Sequence, residues 1–257
     1  MNQRPIAARA AQGAAWLLSW RVITRLIGLV SMLILVRLLK PADFGVLALG
    51  VAMLAAADAT SSLGVIGQLI RDDNPDRELF DTAFTVNAIR GVVLATLLLL
   101  ADRPLASFFG NVELVPVVWA MSAVMLIRSL ENVGVAEYQR DLNYSVDFRL
   151  SAVPRVLSST AVITSAFVFR DYRALIVGVL VGNIARTTYS YALHPYRPHL
   201  TLRGWRRLFS FSLWVWLTGI QNFFRNRSDS VIIARVLGST PLGIYAVAQE
   251  MATLSYS

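Results

Sequence analysis

Residues Ile34 to Met53, ILVRLLKPADFGVLALGVAM, return 198 positions later as Ile232 to Met251, IIARVLGSTPLGIYAVAQEM. Six of the twenty aligned positions are identical: Ile34 with Ile232, Arg37 with Arg235, Leu39 with Leu237, Gly45 with Gly243, Ala48 with Ala246 and Met53 with Met251. Upstream, Trp16 falls on Trp214 at the same offset. Each copy reads as an apolar helix end, an arginine, a short turn holding a proline, and a glycine opening a second apolar helix. A period of 198 residues is too long for a solenoid unit, so it predicts a duplicated multi-helix half. The chain stops six residues after Met251. We therefore expect residues 1–207 to form a first six-helix bundle and 208–257 to begin a second, within a longer protein.

The helices of such a half must suit their solvent. Hydrophobic residues make up 56% of the chain and charged ones 16%, with a mean hydropathy of +0.56, which points to a polytopic membrane protein. The fold class expected is an all-α transmembrane bundle of about seven to eight helices. Their expected spans are roughly Ala14–Val36, Phe44–Ile70, Thr82–Ala101, Leu114–Val135, Leu150–Phe169, Ala174–Leu193, Leu208–Val236, and one opening at Leu242. Arg21 and Arg25 interrupt the first apolar stretch and no small-residue cleavage site follows, so it reads as a retained helix rather than a secretory signal. Arg128 and Glu131, spaced i, i+3, can pair on one face of the fourth helix. Pro154 falls early in the fifth helix, where proline is best tolerated. Taking loops alternately, ten arginines fall on the side of the N-terminus and six basic residues on the other. The N-terminal side should then be cytoplasmic, in a cell inner membrane.

Eight arginines lie inside or near the ends of the expected helices: Arg21, Arg25, Arg90, Arg128, Arg155, Arg186, Arg225 and Arg227. At about 3 kcal/mol for each at mid-bilayer, they must largely avoid lipid. Arg25 and Arg90, deep in their helices, are the main candidates for cations of a hydrophilic cavity, with Arg21 and Arg225 beside them. Snorkelling to a helix end suits Arg128, Arg155, Arg186 and Arg227. Arg21, Arg25 and Gly28 share one face of the first helix, and Thr218, Asn222, Arg225 and Asp229 one face of the seventh. Two such stripes in corresponding helices predict a cavity between the halves, with Asn87 and Asn222 as polar lining. Only four carboxylates lie in helices, namely Asp58, Asp229, Glu131 and Glu250, and this balance favours an anionic ligand. Asp58 reads either as a proton or sodium site or as the counter-ion of an arginine, and Asp229 has the same two roles open to it.

The chain has no cysteine, and His194 and His199 stand i, i+5 in a proline-broken loop without a carboxylate between them. No metal site is expected. No Walker-type phosphate loop occurs, so neither ATP hydrolysis nor a cofactor is expected. The basic loops suit membrane lipid headgroups better than nucleic acid.

The motifs RLLKPADFG, RVLGSTPLGIY, the N-x-x-x-R-x-D-x-x-I-I pattern at Asn222 to Ile233 and the loop AEYQRDLNYSVDFR resemble the polysaccharide-export flippases of the multidrug/oligosaccharidyl-lipid/polysaccharide exporter superfamily. The resemblance implies a non-enzymatic transporter with two similar bundles rocking around a cationic cavity. It implies transfer of undecaprenyl-pyrophosphate-linked oligosaccharide from the cytoplasmic to the periplasmic leaflet, with polysaccharide polymerase and other glycan assembly proteins as partners. Three other readings compete with it: a drug/cation antiporter of the same superfamily, a membrane enzyme of the polymerase or ligase kind, and a non-transporting subunit of a glycan assembly complex. The antiporter wants an acidic cavity, and the enzyme wants large extracytoplasmic loops that this chain lacks.

Overall fold

The structure, a computed structural model, describes residues 27–61, 64–72, 75–141, 144–205 and 212–256. Every regular element among them is helical. In chain order these are α1 (Ile27–Leu38), α2 (Pro41–Ser61), α3 (Val65–Arg71), α4 (Arg77–Leu100), α5 (Asp102–Phe109), α6 (Leu114–Ser129), α7 (Ala136–Arg140), α8 (Tyr144–Phe169), α9 (Tyr172–Leu193), α10 (Ser212–Leu237) and α11 (Ser239–Tyr256). The count of eleven exceeds the expected seven to eight because short helices occupy stretches read as span ends or loops. Gly64, at φ 64°, breaks α3 away from α2, and α5 and α7 lie in the connections on either side of α6.

Among the described residues, three helices are long and apolar enough to cross a bilayer: Pro41–Ser61, Arg77–Leu100 and Val146–Phe169. Leu114–Ser129 with Val133–Arg140 makes a fourth span bent by 63°. Two boundaries differ from expectation in ways that matter for the charges. Helix α6 ends at Ser129, so Glu131 lies beyond it and shares no face with Arg128. Helix α8 begins at Tyr144, so Pro154 sits inside it rather than in the first turns. There Pro154 is buried against neighbouring helices. Its ring forfeits one ladder bond, a loss tolerated where neighbours re-satisfy the backbone.

Lipid gives apolar side chains no reason to leave it, so close packing and hydrogen bonds hold these helices together. Small residues permit the packing. Gly178 and Gly182, spaced i, i+4 on α9, lie against Val162 and Ser158 of α8, and the Ser158 hydroxyl donates to the Gly178 carbonyl at 2.7 Å. Gly50 of α2 meets Val117 of α6, and Gly91 of α4 meets Ser129. The main apolar core lies where α2, α4 and α6 meet, around Val46, Leu49, Leu94, Leu98, Leu114, Val117, Met121 and Met125.

The connections sort into two ends. At one, Asp43 accepts from the backbone N–H groups of both Lys40 (2.8 Å) and Tyr172 (3.1 Å), tying the α1–α2 turn to the start of α9. Arg235 lies over the Phe108 ring at the same end, 4.8 Å from its centroid. At the other end, residues 194–205 run as an extended strap along the start of α4. His199 N–H donates to Asp81 at 2.9 Å, Thr201 N–H to Thr85 at 3.0 Å and Gly204 N–H to Thr82 at 3.2 Å. Burial pushes the Tyr196 hydroxyl above the usual tyrosine range, and its hydrogen bond to Asp81 (2.5 Å) pushes the same way. Asn132, fully buried, joins strap to bundle: its Nδ2 donates to the Tyr196 carbonyl at 3.0 Å and its Oδ1 accepts from Gly134 N–H at 2.9 Å.

Candidate functional site

The two copies of the repeat pack against each other, α2 and α11 both leaving the same end of the bundle. The contact is reciprocal. A Cβ on Gly45 would lie 1.8 Å from the Ser239 carbonyl oxygen, and one on Gly243 would lie 1.7 Å from the Pro41 carbonyl oxygen. Since Gly45 corresponds to Gly243 and Pro41 to Ser239 in the repeat, each copy offers the other the same surface, as a twofold axis between them requires. Only the absence of a side chain lets the backbones come so close.

Farther along the same helices a cavity of about 520 Å³ opens between α1, α2, α8, α10 and α11. Four pairs of matched repeat positions line it: Gly28 with Asn226, Met32 with Ser230, Ala48 with Ala246, and Val51 with Gln249. The cavity therefore lies on the approximate twofold. Its charges do not follow that symmetry. Arg155 of α8 and Arg227 of α10 face it with Glu250 of α11, and neither arginine has an ion pair among the described residues. Ser31, Ser158 and Ser159 add hydroxyls, while Phe44, Leu47 and Leu175 close the apolar side. An anion with several hydroxyl groups suits such a wall, because guanidinium forks bind oxyanions and the remaining groups supply neutral hydrogen bonds.

The sequence-predicted residues are distributed differently. Arg21 and Arg25 lie outside the described residues. Arg90 is not on the central cavity: its Nη2 pairs with Asp58 at 3.2 Å and its Nη1 donates to the Ser61 hydroxyl at 3.2 Å. Arg128 takes the other oxygen of Asp58, 3.1 Å away, and Arg186 grips both Glu131 oxygens through Nε at 3.0 and 3.1 Å. Asp58 is thus the counter-ion of two arginines, and the i, i+3 pairing of Arg128 with Glu131 does not form. Asn87 lies beside this charge cluster and reaches the Ser129 carbonyl at 3.5 Å. On α10 the cavity face is Asn226, Arg227 and Ser230. Asn222 and Arg225 are exposed, and Asp229 accepts from the Tyr245 hydroxyl and, at 2.7 Å, from Ser230 N–H.

Arg155 and Arg227 had no signal in the sequence to separate them from snorkelling arginines, since helical period gives a face but not the neighbour it meets. The repeat did contain the signal for Asn226 and Ser230, which occupy the positions matching Gly28 and Met32. Among the described residues no group of His, Asp and Glu side chains is placed to hold a metal; His194 contacts Glu137 at 3.0 Å instead.

A family described as polysaccharide biosynthesis protein matches residues 34–257. Among curated proteins, the lipopolysaccharide biosynthesis protein WzxC of Escherichia coli (strain K12) is 23% identical over 250 residues, covering 96% of this chain and 51% of that protein. The succinoglycan biosynthesis transport protein ExoT of Rhizobium meliloti (strain 1021) is 24% identical over 88% of this chain and 46% of its own length. The teichuronic acid biosynthesis protein TuaB of Bacillus subtilis (strain 168) is 24% identical over 72% of this chain and 39% of its own. The chain spans about half the length of these relatives or less. No solved structure matches.

Proposed function

Because the chain belongs to the polysaccharide biosynthesis protein family, we propose that it supplies one bundle and the opening of the next in a flippase for lipid-linked oligosaccharide. The substrate is an undecaprenyl-pyrophosphate-linked repeat unit moved from the cytoplasmic to the periplasmic leaflet for surface polysaccharide synthesis. The carrying observation is the cavity on the pseudo-twofold, with Arg155 and Arg227 on its wall and in no ion pair among the described residues. A pyrophosphate is an anion that two guanidiniums grip well, and the serine hydroxyls, Asn226 and Gln249 suit the sugars beside it. A site between two similar halves is the arrangement in which rocking exposes it to each side in turn.

The Gly45–Gly243 contact brings α2 and α11 together at one end of these helices. With the N-terminal side cytoplasmic, as the arginine excess on its loops supports, that end is periplasmic. Cation export fits less well, because Asp58 and Glu131 are committed to arginines.

The test is translocation of the lipid-linked oligosaccharide by protein expressed from the native gene, with Arg155→Ala and Arg227→Ala together. Charge-assisted hydrogen bonds worth about 1.5–3 kcal/mol in sum correspond to a loss of roughly ten- to a hundred-fold. Wild-type translocation by the double variant would remove these residues from the substrate site.

A further inference from the structure

On the flank of the first bundle, away from the central cavity, an apolar trench of about 650 Å³ is lined by Val86, Ile89, Val93 and Leu94 of α4 and by Leu202 and Trp205 of the strap. Among the described residues the only polar ones on its wall are Arg90 and Ser61. Arg90 is set deep in this wall, and its Nε is buried without a hydrogen-bond acceptor among the described residues. Behind Arg90 comes Asp58 and then Arg128, two guanidiniums on one carboxylate, which leaves one positive charge uncompensated among the described residues. Arg128 in turn lines a cavity of about 360 Å³ whose other polar walls are Asn87, Glu131, Asn132, Gln139 and Arg186. Of these, Glu131 and Arg186 balance each other.

Apolar trench, excess cation and polar cavity therefore follow one another in space, and each has a counterpart in an amphiphile carrying an anionic group between a hydrocarbon chain and a polar head. We propose that this flank binds a single-chain lipid phosphate, its chain in the trench and its phosphate on Arg90 and Arg128 in place of the Asp58 carboxylate. The phosphate oxygens supply the acceptors that one carboxylate divides between two arginines. One trench takes one chain, whereas a bilayer glycerophospholipid brings two. The site deepens the flippase reading, since a lipid-linked substrate held here would be presented to the bundle before it enters the central cavity.

The probe is hexadecyl phosphate carrying a diazirine on its chain, crosslinked to the purified full-length protein in neutral-lipid nanodiscs and mapped by mass spectrometry. Crosslinks should fall on Ile89, Val93 or Leu202 and exceed those of the matching diazirine alcohol by about tenfold, the equivalent of about 1.4 kcal/mol. Val93→Trp fills the trench from a lipid-exposed position without touching the ion cluster and should lower the labelling about tenfold, while Arg90→Gln with Arg128→Gln should bring phosphate and alcohol to equal labelling. Equal labelling by both probes in the unaltered protein, full labelling of Val93→Trp, or protection by inorganic phosphate or phosphatidylglycerol as strong as by unlabelled hexadecyl phosphate would each overturn the proposal. Labelling is read without transport. A protein that labels as expected but moves no lipid-linked oligosaccharide would overturn the flippase function and leave this site standing.

Discussion

Asp58 holds two arginines on one carboxylate, and its own side chain is 28% exposed against 22% for Arg90 and 48% for Arg128. Removing its charge leaves two guanidiniums facing each other with no counter-ion. Breaking a fully buried pair costs about 3–5 kcal/mol, and the exposure of Arg128 reduces that here, so Asp58→Asn should cost about 1–2 kcal/mol. Thermal unfolding in detergent checks this. In the Asp58→Asn background, Arg128→Gln should cost less than it does alone, because the repulsion it relieves is then present. Asn132 is a different case, since its Nδ2 donates to backbone carbonyls 62 to 64 residues away in the strap. Asn132→Ala leaves buried donors and acceptors unpaired and should destabilise by about 2–3 kcal/mol, with faster proteolysis of the 194–205 strap as the specific sign. The counter-ion role of Asp58 was one of two readings open in the sequence, which could not choose between them, and Asn132 gave no periodic or motif signal at all.

At the scale of helices, α2 and α11 meet through two glycines whose missing side chains set the distance between the two helices. Gly45→Ala places a methyl 1.8 Å from the Ser239 oxygen, where only separation of the helices relieves the clash. We expect Gly45→Ala and Gly243→Ala to open the end of the bundle near Lys40 and Gly238. Each variant should have a similar effect because the contact is reciprocal. Maleimide labelling of a cysteine at Thr240 should then rise several-fold, and these 257 residues contribute no cysteine of their own to the background. Unaltered labelling in both variants would mean that the contact does not hold that end shut. The glycines themselves were readable as identities of the repeat, and the Gly178–Gly182 spacing on α9 is a small-residue motif visible in sequence. That Gly45 packs on its own repeat partner's neighbour was not, because identity at a fixed offset says that two segments are alike and nothing about whether they touch.

For the whole molecule, a cavity shared by matched positions of both copies predicts access that changes sides together. A cysteine at Ser230, on the cavity wall, should react with a membrane-impermeant maleimide added from the N-terminal side. Adding the lipid-linked substrate should lower that reactivity, and driving the protein through its cycle should move part of it to the opposite side. Reactivity from one side under every condition would be incompatible with rocking of two halves around the site.

The sequence by itself determined the class of solvent, the helical content and the repeated segment, because hydropathy and a 198-residue offset are properties of the chain taken in order. It also determined that arginine would dominate the polar groups inside the bundle. Tertiary structure alone decided which arginines are spent on structure and which remain free. Arg90 and Arg128 converge on Asp58 across 32 and 70 residues, and Arg186 finds Glu131 across 55, while Arg155 and Arg227 reach the cavity wall with no ion pair among the described residues. A helix of 3.6 residues per turn assigns each side chain to a face. Which neighbour that face meets is set by glycines that admit close approach, by helix ends such as the one at Ser129, and by the axis relating the two copies. Those are relations between segments far apart in the chain, and charges pair according to distance in space.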